Sequence, residues 1–198
     1  MSRRLSIVKT SIAAIVRSYH NTDFLEDVLK SLDWVDKVLV VNCLHLGYED
    51  APDDTEEIVN RLNQPNVELL KLTPHREHEV LNISVSYLSL YQKILINDAD
   101  EFIEHNEQKK LLNLGRYNCG LCQMVEVMPD GSEVPRQHRP VAIVRPDCHF
   151  TFQRCIEGDY KIFHNVTMKH YGNCVKDLDW KRRNYTKMKM KEPLTEVN

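Results

Sequence analysis

Asp98-Ala99-Asp100-Glu101 follows the run Tyr91-Gln-Lys-Ile-Leu-Ile-Asn97, which reads as a strand leaving the core at a polar end. Acids at i and i+2 of an extended segment point to the same side. Asp98 and Asp100 are therefore expected to share one hard divalent cation, and carboxylate oxygens suit Mg²⁺ or Mn²⁺. A metal held there can carry a diphosphate. An isolated pair of this kind more often only solvates a strand end. The buried run before it and the third acid after it favour the metal.

Three further apolar runs, Ile12 to Val16, Lys37 to Val41 and Val67 to Leu72, read as buried strands. Between the first two lies a helix capped by Thr22 or Asp23, with Glu26 near its third position and Phe24, Leu25, Val28, Leu29 and Leu32 at helical spacing. A second helix opens at Asp53-Asp54-Thr55, and a third runs from about Val80 to Leu90. Strands alternating with helices predict a mostly parallel central sheet with helices on both faces, whose ligands sit at the carboxyl ends of the strands. The polar clusters Arg17-Ser-Tyr-His-Asn21, that after Val41 and that after Asn97 all fall at those ends, so they point to one crevice. From Leu111 onward the pattern becomes a mixed extension. Gly120 to Val127, Val141 to Val144 and Lys161 to His170 read as strands, with turns at Pro129-Asp-Gly131 and Glu157-Gly-Asp159. His164 and His170, six apart, share a face of the last strand.

At 198 residues, 42% hydrophobic and 28% charged, the chain suits one α/β domain. A net charge of −3 argues against general nucleic-acid binding, although Lys181, Arg182, Arg183, Lys187, Lys189 and Lys191 crowd one end. The segment from Asp177 to Lys191 reads as a basic helix with Trp180, Tyr185 and Met188 on its apolar side. A solvated face is the default for it. Folding over a bound diphosphate, or peripheral contact with an anionic or membrane-borne partner, are the alternatives. No apolar stretch has the length of a transmembrane segment. Arg3-Arg4 before Leu5-Ser-Ile-Val8 is interrupted as a leader by Lys9 and Arg17, so a cytoplasmic protein is expected. Of six cysteines, Cys119 and Cys122 would face opposite sides of a strand, which opposes chelation. Buried free thiols are the first reading and disulfides the second.

Three segments together resemble the GT-A glycosyltransferases, in particular the family 2-like group that moves a sugar from a nucleotide-diphosphate donor. They are Ile15-Val-Arg-Ser-Tyr-His-Asn21 with the helix ending in Lys30-Ser-Leu32, Trp34-Val-Asp-Lys-Val-Leu-Val-Val-Asn42, and Ile94-Leu-Ile-Asn-Asp-Ala-Asp-Glu-Phe102. They span most of residues 12 to 104, and weaker similarity continues through Ile143 to Asp147 and His170-Tyr171. The resemblance implies a single GT-A domain, Rossmann-like in its nucleotide-binding part, with residues 1–104 as the nucleotide-sugar half and 105–198 as the acceptor half. It implies Arg17, Ser18, Tyr19 and Asp98 on the donor, and Asp98 and Asp100 on Mn²⁺ or Mg²⁺ with His170 as a further ligand. The acceptor, a glycan, protein or lipid, is left open.

The chain also departs from the family. A strand-end Asp with a Ser/Gly-rich loop is replaced by Asn42-Cys-Leu-His-Leu-Gly-Tyr-Glu-Asp50, and an Asn42 amide can still read a pyrimidine edge. Asn82 occupies a position that is polar in the family, and Arg76 is a phosphate ligand or a surface residue. The resemblance implies an inverting displacement, which needs a general base, and implies that this base lies in the acceptor half, after Asp98-Ala99-Asp100. Glu133 is the first choice, Asp130 and Asp147 the next, with Glu126 eligible if it faces the crevice. A nucleotidyltransferase would use the same carboxylates but normally has a glycine-rich loop after its first strand, which Arg17-Ser-Tyr-His lacks. An inactive nucleotide- or glycan-binding protein is the non-enzymatic alternative.

Overall fold

The computed structural model describes residues 10–20, 22–156 and 158–191, without the side chains of 187–191. The expectations for Arg3 to Lys9, for Asn21 and Glu157, and for the side chains of Lys187, Met188, Lys189 and Lys191 lie outside the described residues.

Continuous apolar runs and short amphipathic helices give the alternation that they dictate. In chain order the elements are β1 (Ile12–Ser18), α1 (Leu25–Ser31), β2 (Lys37–His45), α2 (Thr55–Leu62), β3 (Val67–His75), α3 (Glu77–Tyr87), β4 (Lys93–Asp98), β5 (Glu101–Ile103) and α4 (His105–Leu111). Then follow β6 (Cys119–Val127), β7 (Glu133–Pro135), β8 (Val141–Val144), β9 (Phe150–Phe152), β10 (Cys155–Ile156), β11 (Tyr160–His170) and α5 (Leu178–Lys191). The main sheet has the order β3-β2-β1-β4-β8-β6-β11-β5, with β7 paired to β6. Strands β3, β2, β1 and β4 are parallel, β8 is antiparallel to β4 and β6, and β11 runs parallel to β6. The expected parallel half and mixed extension are both present.

Alternate residues of each central strand feed two cores. Ala14 and Val16 pack with Leu25, Val28 and Leu29 of α1 on one face, while Ala13 and Ile15 pack with Val80, Leu81 and Val85 of α3 on the other. Burying both faces is what makes the strand sequences read as unbroken apolar runs. Cys122 lies in the first core and Cys119 in the second, as their odd separation requires, and all six cysteines are free.

Local differences from the sequence reading have local causes. Helix α1 is flanked by Phe24 and has no side-chain cap, since Thr22 donates to Asp54 and Asp23 accepts from the Lys176 backbone at 2.8 Å. Helix α3 begins at Glu77, earlier than Val80, because the Arg76 N–H is capped by Glu79 Oε2 at 2.8 Å. In β11 the pairing with β6 jumps from Phe163 to Thr167. This bulge breaks the two-residue period, so His164 and His170 do not share a site. His164 is exposed beside Lys110 and Lys161.

Candidate functional site

The carboxyl ends of β1, β2, β3, β4, β6 and β11 meet at one rim of the sheet. Arg17 and Asp98 are direct partners in the β1–β4 register. Both continue the face that packs on α3, and there the guanidinium grips the carboxylate through Nε–Oδ1 at 2.6 Å and Nη2–Oδ2 at 2.7 Å. Glu77, the first residue of α3, takes the remaining arm of Arg17 at 2.7 Å. A fork of this kind fixes orientation as well as charge.

The chain then turns. Ala99 and Asp100 leave the strand, with the Ala99 N–H donating to Arg17 O and the Tyr171 N–H to Asp100 O, both at 2.8 Å. The same-side argument for an extended segment therefore fails, and the two aspartates serve different partners. Asp100 is buried, accepts from Lys181 Nζ of α5 and lies 3.5 Å from His170 Nε2. Burial raises the Asp100 pKa, but the Lys181 charge together with the bond and charge of His170 outweighs it and holds the carboxyl below the usual carboxylate range. His170 donates through Nδ1 to the buried Glu126 at 2.9 Å. Burial opposes its protonation, yet the Asp100 bond and the charges of Asp100 and Glu101 push its pKa up to about 9. Glu126 also accepts from Asn173 at 3.0 Å and from Arg136.

Glu101, the third acid, supports the turn from beneath. Its carboxylate accepts the Asp98 N–H at 2.9 Å and pairs with the buried Arg154 at 2.6 and 2.7 Å. Arg154 also donates to the carbonyls of Ile96 and Val141 at 3.2 and 3.1 Å, and so ties β4 to the start of β8.

Beyond β1 the backbone of His20 is left-handed at φ 62°. Its N–H donates to Asp53 at 3.0 Å, and its ring meets Pro52 O at 2.6 Å and Asp177 at 3.2 Å. Asp53 gathers this corner by also accepting from Asn42 Nδ2 and from the Thr55 hydroxyl at 2.7 Å. Ser18 and Thr55 hydroxyls are 2.8 Å apart, and Tyr19 OH donates to Asp50. Helix α5 lies over this corner. Trp180 is buried against His20, Tyr19 and Tyr48, with ring centroids 4.5, 6.2 and 5.8 Å away, and its indole N–H donates to Glu49 O at 3.2 Å. Asn184, fully buried one turn later, accepts the Glu49 N–H at 2.7 Å. Thus α5 is a packed element and not the solvated face expected by default, although Tyr185 is exposed.

Two clefts flank the aspartate turn. A pocket of about 190 Å³ is lined by Arg17, Ser18, Tyr19, His45, Tyr48 and Asp98, among others. A cleft of about 530 Å³, bounded by Phe24, Val28, Phe102 and Tyr171, has Asp100 in its wall. The Phe24 and Tyr171 rings stand 4.8 Å apart.

Of the residues singled out in the sequence, Arg17, Ser18, Tyr19, Asn42, Asp98, Asp100 and His170 come together at this rim. Glu133 lies at the same end, opposite Val127 of β6, and pairs with Lys169 at 2.9 Å. Asp130 is exposed in the turn before it, bonded to Ser132. Asp147 is misplaced. Because β8 runs against β4, the residues after it reach the opposite end of the sheet, beside Lys93. Asn82 is committed elsewhere, as its amide holds the Phe150 backbone through bonds of 2.9 and 2.8 Å. Arg76 is exposed, while its neighbours His75 and Glu77 line the smaller pocket. Glu77, Asp53, Arg154, Trp180 and Lys181 were missed as site residues. The first three carry no pattern in a single sequence, and the last two sit in a segment whose excess charge suggests solvent.

The metal expected from the resemblance meets carboxylates that are already engaged. Asp98 faces Arg17, Asp100 faces Lys181, and among the described residues no three His, Cys, Asp or Glu side chains are grouped to hold a metal ion. As arranged, these residues do not fit a divalent cation.

The backbone is similar to that of S. aureus TarS 1–349, with a TM-score of 0.59 and 17% identity over 82% of this chain and 61% of that one. The same protein in complex with UDP gives 0.57 and 14%, over 90% and 65%. The 4-diphosphocytidyl-2C-methyl-D-erythritol synthase of Anaerococcus prevotii gives 0.52 and 11%, over 92% and 97%. At these identities the likeness is one of fold, and it places the molecule in the GT-A-like α/β class. The chain spans about six tenths of the TarS structure. No family model matches the sequence, and no curated protein does. Among the described residues no helix is long and apolar enough to cross a membrane.

Proposed function

We propose that the protein is a glycosyltransferase that moves a sugar from a nucleoside-diphosphate donor to an acceptor hydroxyl with inversion. The observation that carries this reading is the position of the Asp98-Ala99-Asp100 turn between two clefts at the strand ends, with Asp98 in one wall and Asp100 in the other. Ligands of open α/β sheets bind at such a rim. The 190 Å³ pocket takes a base but not a whole donor. The diphosphate then runs across the turn, and the sugar enters the larger cleft, where Phe24 and Tyr171 offer apolar ring faces.

Arg17 is held by Asp98 and by Glu77 at once, so it orients the turn rather than binding substrate directly. Glu133 stays the first choice for the base that takes the acceptor proton, because it alone of the three original candidates is both at the crevice end and part of a strand. Residues up to about 104 supply most of the donor half, joined there by Tyr171 and Lys181 from the part that otherwise forms the acceptor half. Nucleotidyl transfer is the second reading, favoured by the coverage of 97% of a synthase chain. A panel of UDP, GDP, CDP and TDP in thermal-shift titrations, followed by assay of the matching sugar nucleotides for released diphosphate nucleotide, tests the proposal. Release of pyrophosphate from a nucleoside triphosphate would support the alternative.

A further inference from the structure

Asp100 is paired with a cation of the protein's own. Lys181 Nζ bonds Asp100 Oδ2, and its helix is fixed on both sides of it. Trp180 is wedged among Tyr19, His20 and Tyr48, and Asn184 is fully buried with bonds to Glu49 N and Trp180 O at 2.7 and 2.9 Å. Such anchoring aims one lysine at one carboxylate, which a solvated helix does not do.

The opposite wall makes room for the same arrangement. A Cβ at Gly172 would stand 2.7 Å from His170 Nε2 and 2.8 Å from Lys181 Nζ, too close for either to stay. Glycine at this position leaves space for an imidazole and an ammonium to converge on Asp100.

We propose that Lys181 is the resident cation of the aspartate turn, so that the site holds a diphosphate without a divalent metal. This rests on the donor reading above. An ammonium has three donors. One stays on Asp100 and the others are available to the bridging and terminal oxygens of the diphosphate, so that charge developing on the departing group meets Lys181 where a metal would otherwise sit.

The test uses the full chain and has two readouts. In Mn²⁺ titrations followed by electron paramagnetic resonance, with no nucleotide present, wild type is expected to show no site tighter than about 1 mM. Lys181→Met should create one at Asp100, Lys181→Arg should not, and Lys181→Met combined with Asp100→Asn should lose it again. In EDTA, wild type should bind the best nucleoside diphosphate of the panel as tightly as in Mn²⁺. Lys181→Met should bind it about tenfold more weakly in EDTA and recover in Mn²⁺. Stoichiometric Mn²⁺ binding by wild type that Asp100→Asn abolishes would overturn the proposal, and would make α5 a strap that the metal displaces. A Lys181→Met protein that stays blind to Mn²⁺ would overturn it too. If no variant binds any nucleoside diphosphate, the donor reading falls, while the metal titration still decides the identity of the cation.

Discussion

Arg17 and Asp98 face each other at one register position of neighbouring parallel strands, joined by two bonds of 2.6 and 2.7 Å. The pair locks the rim where β1 and β4 end. Removing one partner leaves the other charge partly buried, and side-chain exposures of 17% and 28% keep solvent from compensating fully. Asp98→Ala is expected to destabilise the protein by about 2–4 kcal/mol, read from urea unfolding. A loss below about 0.5 kcal/mol would show that the pair is merely superficial.

The His170 contact with Asp100 gives a pH dependence of definite sign. A histidine pKa raised from 6.5 to about 9 contributes stability that is complete below pH 6.5 and is lost as pH rises through 9. Between those values wild type should lose up to about 3 kcal/mol relative to His170→Gln. Parallel stability curves for the two proteins over that window would refute the contact.

Much of this was legible in the residues. The unbroken runs ending in polar clusters fixed the four parallel strands, because only burial on both faces favours such runs, and the clusters met at one rim. What a single sequence withholds is pairing across long loops. Nothing in Arg154 announces Glu101, 53 residues earlier, and nothing in Lys181 announces Asp100, 81 residues earlier. Periodicity reveals a strand but not its direction, and the direction of β8 is what carries Asp147 to the far end of the sheet. The turn at Ala99, which sends Asp98 and Asp100 to different partners, is invisible to a two-residue repeat.

Gly172 provides a steric test of the Asp100 cluster. Gly172→Ala should push the His170 ring and the Lys181 ammonium off the carboxylate and lower stability by about 1–3 kcal/mol. It should also shift the His170 titration, followed by NMR, down towards 6.5. An unmoved titration would show that the glycine leaves room for nothing in particular.

Glu133 and Asp147 separate the two ends of the sheet. Glu133→Gln should lower sugar transfer by about a hundredfold while leaving donor affinity unchanged. Asp147→Asn, at the far end beside Lys93, should leave both unchanged. Wild-type transfer by Glu133→Gln would move the search for the base to Glu126.

The most direct test of the donor crevice is a crystal soaked with the nucleoside diphosphate that gives the largest thermal shift. The base should lie in the pocket lined by Tyr19, His45 and Tyr48, with the terminal phosphate within hydrogen-bond reach of Lys181 beside Asp100. A nucleotide bound away from that rim, or a panel in which no nucleoside diphosphate binds, would contradict the assignment of this crevice to a sugar-nucleotide donor.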